Sequence, residues 1–323
     1  MCVDGAVVAV TGAGPTDILV LRALGLGDLL TGFPALRALR RAHPGARIVL
    51  ATPEHLGPLA RLSRAIDDIQ PTPGLGRLRP RRRPPDLAVN LHGCGPASIA
   101  HLLAVQPRSI LTHRHPDLPD LPGPPWRSDV HEVQRWCSLL EWAGIPCDPD
   151  DLGIERPEGF PDRSGVVVIH PGAGAAARRW PEPRFADVAA ALHDEGHCVV
   201  ITGSADEGEL AHRIAHQAGL APESVLAGRL ELLELVALIS DSRLVICGDT
   251  GVGHIASATG TPSVLLFGPT PPQHWGPPGT GRHIVLWAGD RGDPHAEEPH
   301  AGLLLITVQR VLEAGRTLLQ ECA

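Results

Sequence analysis

The sequence predicts an α/β chain built as two doubly wound, Rossmann-like halves facing a central cleft. Three observations lead there. Short β-rich apolar runs alternate with helical patterns, the signature of parallel sheets with crossover helices. A stretch rich in Pro, Asp and Gly, from Cys147 to Ser164, separates two such series. The length, 323 residues, is that of two domains at about 150 residues each.

In the first series the strand-like runs are Ile18–Ala23, Arg47–Ala51, Leu87–Leu91 and Ser109–Thr112. After the first run, Leu29, Leu30, Phe33, Leu36 and Leu39 recur on one helical face, with Arg37, Arg40 and Arg41 opposite. Pro34 is expected to start or kink that helix. A second helix is expected over about His131–Ala143. The second series runs Val166–His170, Cys198–Thr202, Val225–Ala227, Leu244–Cys247 and Ser263–Phe267, and an amphipathic helix covers about Leu303 to Leu319. The expected division is 1–155 for an N-terminal domain, 156–302 for a C-terminal domain and 303–323 for a terminal helix free to pack back on the first. Sheets of this kind bind ligands outside the carboxyl ends of their strands.

Composition narrows the function classes. A chain 43% hydrophobic and 20% charged can bury sizeable cores, which excludes wholesale disorder. A net charge of −8 argues against a general nucleic-acid or anionic-membrane binder. No run approaches the ~20 apolar residues of a membrane-spanning helix, and Met1–Gly14 has no basic region before its apolar run, so no signal peptide is expected. The expected location is cytoplasmic, or peripheral on the inner face of the membrane. All 28 basic residues are Arg, which reads as GC-rich coding and discounts any single Arg as a functional signal. Seven cysteines, odd in number and without a CxxC pair, read as small buried hydrophobes; neither a zinc site nor a disulfide framework is expected. His212 and His216 stand at i, i+4 without a third ligand and read as a solvated face, so no metal is expected.

Three glycine-containing segments follow strand-like runs. Val245 to Ala256 leads a buried strand through Gly248-Asp249-Thr250-Gly251 into a helix carrying His254. Free N–H groups and the positive dipole end at such a start make an anion site. Simple capping by Asp249 or Thr250 is the plainer alternative. His170-Pro-Gly-Ala-Gly174 ends another strand and brings Arg178 and Arg179, either of which could meet a diphosphate. Its Gly-x-Gly-x-x-Ala is a poor dinucleotide fingerprint, because Pro181 marks a helix starting well after the glycines. Gly12-Ala-Gly14 lacks the third glycine and reads as a turn. In the third segment, Arg22 to Thr31, Gly27 precedes Asp28 at a helix start, where the acid is either a cap or a proton acceptor for a substrate hydroxyl. His92 follows another strand and reads as acceptor-side or structural. Arg77 to Arg83 places five arginines in seven positions between prolines, a solvated loop or a basic lip in which Arg81 and Arg82 steer an anionic acceptor.

In this order and spacing the segments resemble glycosyltransferase family 9, the bacterial heptosyltransferases, from about Ile18 to Leu319. The resemblance rests on Gly27-Asp28 with Pro34-Ala-Leu, Asp86 to Gly93, His170-Pro-Gly172 with Arg-Trp-Pro181, Gly248 to Gly251 with His254, and Phe267 to Thr270 with Trp275-Gly-Pro277. It implies a GT-B fold and inverting, metal-independent transfer with no cofactor beyond the nucleotide-sugar co-substrate, usually ADP-heptose. It implies Asp28 as general base, Asp249, Thr250, Gly251 and His254 on donor-binding positions, and Glu207 at the nucleoside ribose. Arg178 stands where the family usually has a Lys facing the donor diphosphate. The acceptor is expected to be a surface glycan or a small, anionic metabolite. A GT-B epimerase or hydrolase acting without acceptor is the alternative, and an NAD-linked oxidoreductase lacks an intact fingerprint.

Overall fold

The computed structural model describes residues 14–320. The expectations for Gly12, for the opening residues read for a signal, and for Cys2 and Cys322 lie outside the described residues. The chain divides into two units, Met1–Leu152 and Gly153–Ala323.

The first unit runs β1 (Asp17–Leu21), α1 (Leu26–Thr31), α2 (Phe33–Ala42), β2 (Arg47–Thr52), α3 (Gly57–Arg61), β3 (Asp68–Pro71), β4 (Leu87–Asn90), α4 (Ala97–Leu103), β5 (Ser109–Leu111) and α5 (Glu132–Trp142). Its parallel sheet has the order β3-β2-β1-β4-β5. Strand order reverses between β1 and β4, so the loops after these two strands lie side by side, with Leu21 registered against Asn90. Leu19, Leu21, Val49, Ala51 and Ala88 form one buried face with Leu102 and Val105 of the α4 segment, and the alternate residues point to the other face.

The expected single helix is broken into α1 and α2 at Gly32, with Pro34 in the first turn of α2. Gly32 has an ordinary backbone, φ −86°, yet a Cβ there would lie 2.8 Å from Arg22 Cδ and 3.0 Å from its Nε. The Arg22 side chain is fully buried and bonded at both ends of its guanidinium, so it cannot step aside. Gly32→Ala is therefore expected to destabilise the chain by about 1–3 kcal/mol, the cost of overpacking, measured by urea unfolding.

The second unit runs β6 (Val166–His170), α6 (Glu182–Asp194), β7 (Cys198–Ile201), α7 (Gly208–Gln217), α8 (Leu232–Asp241), β8 (Leu244–Gly248), α9 (Gly251–Thr259), β9 (Ser263–Phe267), α10 (Pro272–Trp275), β10 (His283–Trp287), α11 (Ala301–Leu304) and α12 (Val308–Gln320). The parallel order is β10-β9-β8-β6-β7, and the reversal falls between β6 and β8, where His170 is registered against Cys247. Val167, Ile169, Leu244, Ile246, Val264 and Leu266 pack under α6, α7 and α12. On the other face, Gly253 of α9 leaves room for the Leu265 side chain and Cys247 Sγ.

Several expectations are corrected. The terminal helix does not stand apart: Val311, Leu312, Leu318 and Leu319 belong to the core of the second unit, because the apolar stripe of α12 meets β8, β9 and α6. It is also two helices, since the turn through Leu305 to Thr307 separates α11 from α12. Val225–Ala227 reduces to one bridge, Ile201 to Val225. Strands β3 and β10 were not foreseen. Cys137 and Cys147 are joined by a disulfide, against the expectation of unpaired thiols. The chain after α5 folds back through Gly144, at φ +78°, and brings the two Cα atoms to 5.1 Å, within the bonding range. Among the described residues no helix is long and apolar enough to cross a membrane.

Candidate functional site

In the second unit three adjacent strands, β8, β6 and β7, carry the predicted donor-side residues on their carboxyl-terminal loops. Asp249 and Thr250 follow β8, Gly172 and Arg178 follow β6, and Glu207 follows β7. This is the place where open parallel sheets hold ligands.

Helix α9 opens directly on this edge. Its N-cap, Thr250, is extended (φ −151°, ψ 166°) and makes no side-chain capping bond. Capping therefore does not account for the Asp-Thr pair. The first-turn N–H groups of a helix mostly lack intrahelical acceptors; here Gly253 N donates to Thr250 O at 3.0 Å, and no N-cap side chain takes up the others, which suits an anion. The Asp249 carboxyl is buried. Burial raises its pKa, while Arg178 and a hydrogen bond from Thr270 pull it back. Beside these residues, α9 and the segment after β9 line an open pocket whose walls include Thr250, His254, Phe267, Trp275 and Pro277. The His254 and Trp275 rings meet edge-on at 6.0 Å.

The two candidate arginines are held differently. Arg179 turns back on its own loop, its Nε and Nη2 donating to Ala173 O at 3.0 and 2.9 Å. Arg178 reaches across to the end of β8, with Nη1 3.4 Å from Asp249 O, and among the described residues its buried Nε has no hydrogen-bond partner. Helix α6 starts at Glu182, capped by Pro181, so the glycines of this loop do not open a helix, as a dinucleotide fingerprint would require.

Glu207 closes the row. Its Oε2 accepts from Ser204 N at 2.8 Å, and its carboxyl lies so close over Gly172 that a Cβ on Gly172 would overlap it. The bare glycine thus lets the β6 loop pass under the carboxylate. His170, at the end of β6, is bonded through Nδ1 to Thr202 Oγ1 at 3.0 Å. Burial holds its pKa down to about 4, so it is neutral at neutral pH. His170 and Thr270 both lie in motifs the sequence singles out, but their bonds to Thr202 and to Asp249 are not legible there.

In the first unit Asp28 and His92 come from the loops after β1 and β4, on either side of the strand-order reversal. Asp28 sits in the first turn of α1; Oδ2 accepts from Gly25 N at 3.2 Å. It therefore does cap, but with one oxygen. Oδ1 lies 4.0 Å from Arg22 Nη2, and the side chain keeps 29% exposure. Its pKa is raised, chiefly by burial, against the pull of the Arg22 cation. His92 Nδ1 accepts from Ala23 N at 3.1 Å, which puts the ring proton on Nε2. Burial and Arg22 hold its pKa down to about 4. His92 is thus a neutral ring with a hydrogen to donate and is not placed to take up a proton.

Arg81 is corrected. Arg81 Nη2 donates to Asp17 Oδ2 at 2.5 Å, and Asp17 is the first residue of β1. The loop after β3 crosses to the amino-terminal end of β4, because all strands of a parallel sheet start at the same end. It places Arg81 at the end of the sheet opposite Asp28 and His92. Among the described residues no group of three or more His, Cys, Asp or Glu could hold a metal ion.

Two parallel five-stranded sheets, each with a residue-bearing edge at its strand reversal, define a chain of the GT-B class. The profile of glycosyltransferase family 9 (heptosyltransferase) matches residues 126–300, more than half of the chain, and the chain belongs to that family. Lipopolysaccharide heptosyltransferase 2 of Escherichia coli K12 is 34% identical over 207 residues, 59% of this chain and 56% of that protein. The chain thus spans little more than half the length of that relative. The glycosyltransferase family 9 structure from Veillonella parvula superposes with a TM-score of 0.80 at 24% identity, covering 95% of this chain and 98% of the other. The structure of E. coli ADP-heptose lps heptosyltransferase II gives 0.75 at 24%, covering 95% and 100%. At these identities the two structures establish the shared fold.

Proposed function

We propose that the chain is an inverting, metal-independent glycosyltransferase that moves heptose from ADP-heptose to an acceptor hydroxyl. The observation that carries this reading is the uncapped start of α9 beside Arg178. A leaving ADP gains negative charge as the anomeric bond breaks, and fixed N–H groups with a guanidinium meet that charge without a metal. Thr250 and Gly251 hold phosphate oxygens, His254 and Asp249 flank the sugar diphosphate, and Glu207 takes the ribose hydroxyls.

Asp28 is the general base. As the acceptor oxygen attacks the anomeric carbon, its proton passes to the Asp28 carboxylate, the bond from that carbon to the diphosphate oxygen breaks, and ADP departs. Attack opposite the leaving group inverts the anomeric centre. A raised pKa suits an acid–base group working near neutrality. His92 donates its Nε2 hydrogen to the acceptor. We place the protein in the cytoplasm or on the inner face of the membrane, where a nucleotide sugar is available. The name of the E. coli relative favours a core glycan as acceptor, and a small anionic sugar offers the same hydroxyl chemistry.

The test is transfer from ADP-heptose, with products identified by mass. Supplied with a Kdo-bearing lipid or a panel of soluble sugar phosphates, the protein is expected to yield a heptosylated product and ADP. Donor consumed equally well with no acceptor present would point instead to an epimerase or hydrolase.

A further inference from the structure

Beneath Asp28 lies a buried ionic ladder that the mechanism above does not use. Arg22, the residue following β1, is completely buried, and its guanidinium is bonded on every side. Nε donates to Asp28 O and Nη1 to Leu91 O. Nη2 donates to Thr31 Oγ1 at 2.9 Å and to Glu132 Oε1 at 3.3 Å, and the group lies 5.1 Å from the centre of the Trp136 ring. Glu132, in the first turn of α5, is buried too. Its other bonds come from Arg135 Nε at 3.0 Å and Trp136 Nε1 at 2.8 Å.

We propose that Arg22 and Glu132 act as a pair of positioning residues for Asp28. Arg22 fastens the turn bearing Asp28 to the end of β4, and Glu132 holds the guanidinium away from a close pairing with the Asp28 carboxylate.

The distances carry this reading. Arg22 Nη2 is 3.3 Å from Glu132 and 4.0 Å from Asp28. It grips the Asp28 backbone directly, through the carbonyl, and its carboxylate at longer range. A close Arg–carboxylate pair lowers an Asp pKa by about 1–3 units and would leave a poor base. A base in an open turn with no anchor would be basic but unaimed, and misplacement by about 1 Å can cost 10²-fold in rate. The arrangement meets both demands.

The charged and titratable groups around Asp28 are Arg22 from its own loop, Glu132 from α5 with Arg135 behind it, and His92 from the loop after β4. His92 is neutral, so Asp28 is set by Arg22 and Glu132 pulling in opposite directions above a burial that favours the protonated form. Burying an Arg in this place also explains why Gly32 is a glycine. That the ladder serves catalysis rests on the reading of Asp28 as base; the electrostatic coupling itself does not.

The test is a carboxyl-carbon NMR titration of the whole chain labelled at aspartate, with the Asp28 signal assigned by its loss in Asp28→Asn. Glu132→Gln keeps the shape and removes the charge. It is expected to lower the Asp28 midpoint by about one unit or more, and to move the acid limb of kcat/KM the same way. Glu132→Asp retracts the carboxylate from Arg22 and is expected to give a smaller shift of the same sign, which keeps the test available should the Gln variant fail to fold. An Asp28 midpoint unmoved or raised in folded variants would overturn the proposal and leave the ladder a purely structural device. Loss of transfer in Asp28→Asn is a separate readout, so the two readings fail separately.

Discussion

Asp28→Asn is expected to abolish transfer almost completely while leaving donor binding intact. The variant keeps the side chain's shape and an oxygen for the Gly25 N–H, but cannot accept a proton at its amide. General-base catalysis contributes about 10²–10⁴ in rate, so kcat should fall by that range. The donor-side residues belong to the second unit, so ADP affinity should stay within about twofold of the parent. His92 offers no replacement base: its Nδ1 is occupied by Ala23 N–H and its pKa of about 4 keeps it neutral. A variant that retains transfer within severalfold would remove Asp28 from the mechanism. Circular dichroism and Tm on the same samples separate lost chemistry from lost folding.

Arg178→Met should have the second-largest effect, and a different signature. Arg178 bridges the β6 loop to the start of α9 through Asp249 O, and its Nε is buried without a hydrogen-bond partner among the described residues. In the proposed mechanism a cation so placed meets the charge that grows on the leaving diphosphate. Removing one preorganised donor of this kind costs about 10²–10³ in kcat, and because the diphosphate carries charge before reaction too, KM should rise. Arg178→Lys keeps the charge and loses the fork; it should recover part of kcat. Steady-state kinetics on the three proteins check this. Equal kcat in parent and Met variant would show that Arg178 lies outside the donor site.

Much of this architecture is legible in the sequence because the central strands are uninterrupted apolar runs. Val166–His170 and Ser263–Phe267 match their strands end to end, as expected of parallel strands buried on both faces. The edge strands are less visible. Strand β3 is Asp-Ile-Gln-Pro and only half-buried throughout, so it shows neither alternation nor an apolar run, and β10 lies in a stretch crowded with Gly and Pro. Among the candidate site residues, Asp28, Arg178, Asp249, Thr250 and His254 stand out from local pattern, whereas Glu207 rests on the family resemblance. Arg22 and Glu132 could not be named, since they lie 110 positions apart and a single Arg in an Arg-only chain carries no signal. Only the burial of Arg22 reveals it. Arg81 misled for the matching reason: the density of its run suggested a ligand, yet the parallel connection from β3 to β4 takes it to the other end of the sheet, where it pairs with Asp17.

The central claim is an ADP-linked donor on the second unit, and the most direct measurement is thermal unfolding with ADP, ADP-heptose, GDP, UDP and NAD in parallel. A ligand at 100 times its Kd adds about 2.7 kcal/mol, roughly a few degrees in Tm for units of this size. The account predicts a rise with ADP and ADP-heptose and none with the other three. Stabilisation by UDP or GDP in place of ADP would contradict the heptose assignment, and stabilisation by NAD alone would contradict the glycosyltransferase reading itself.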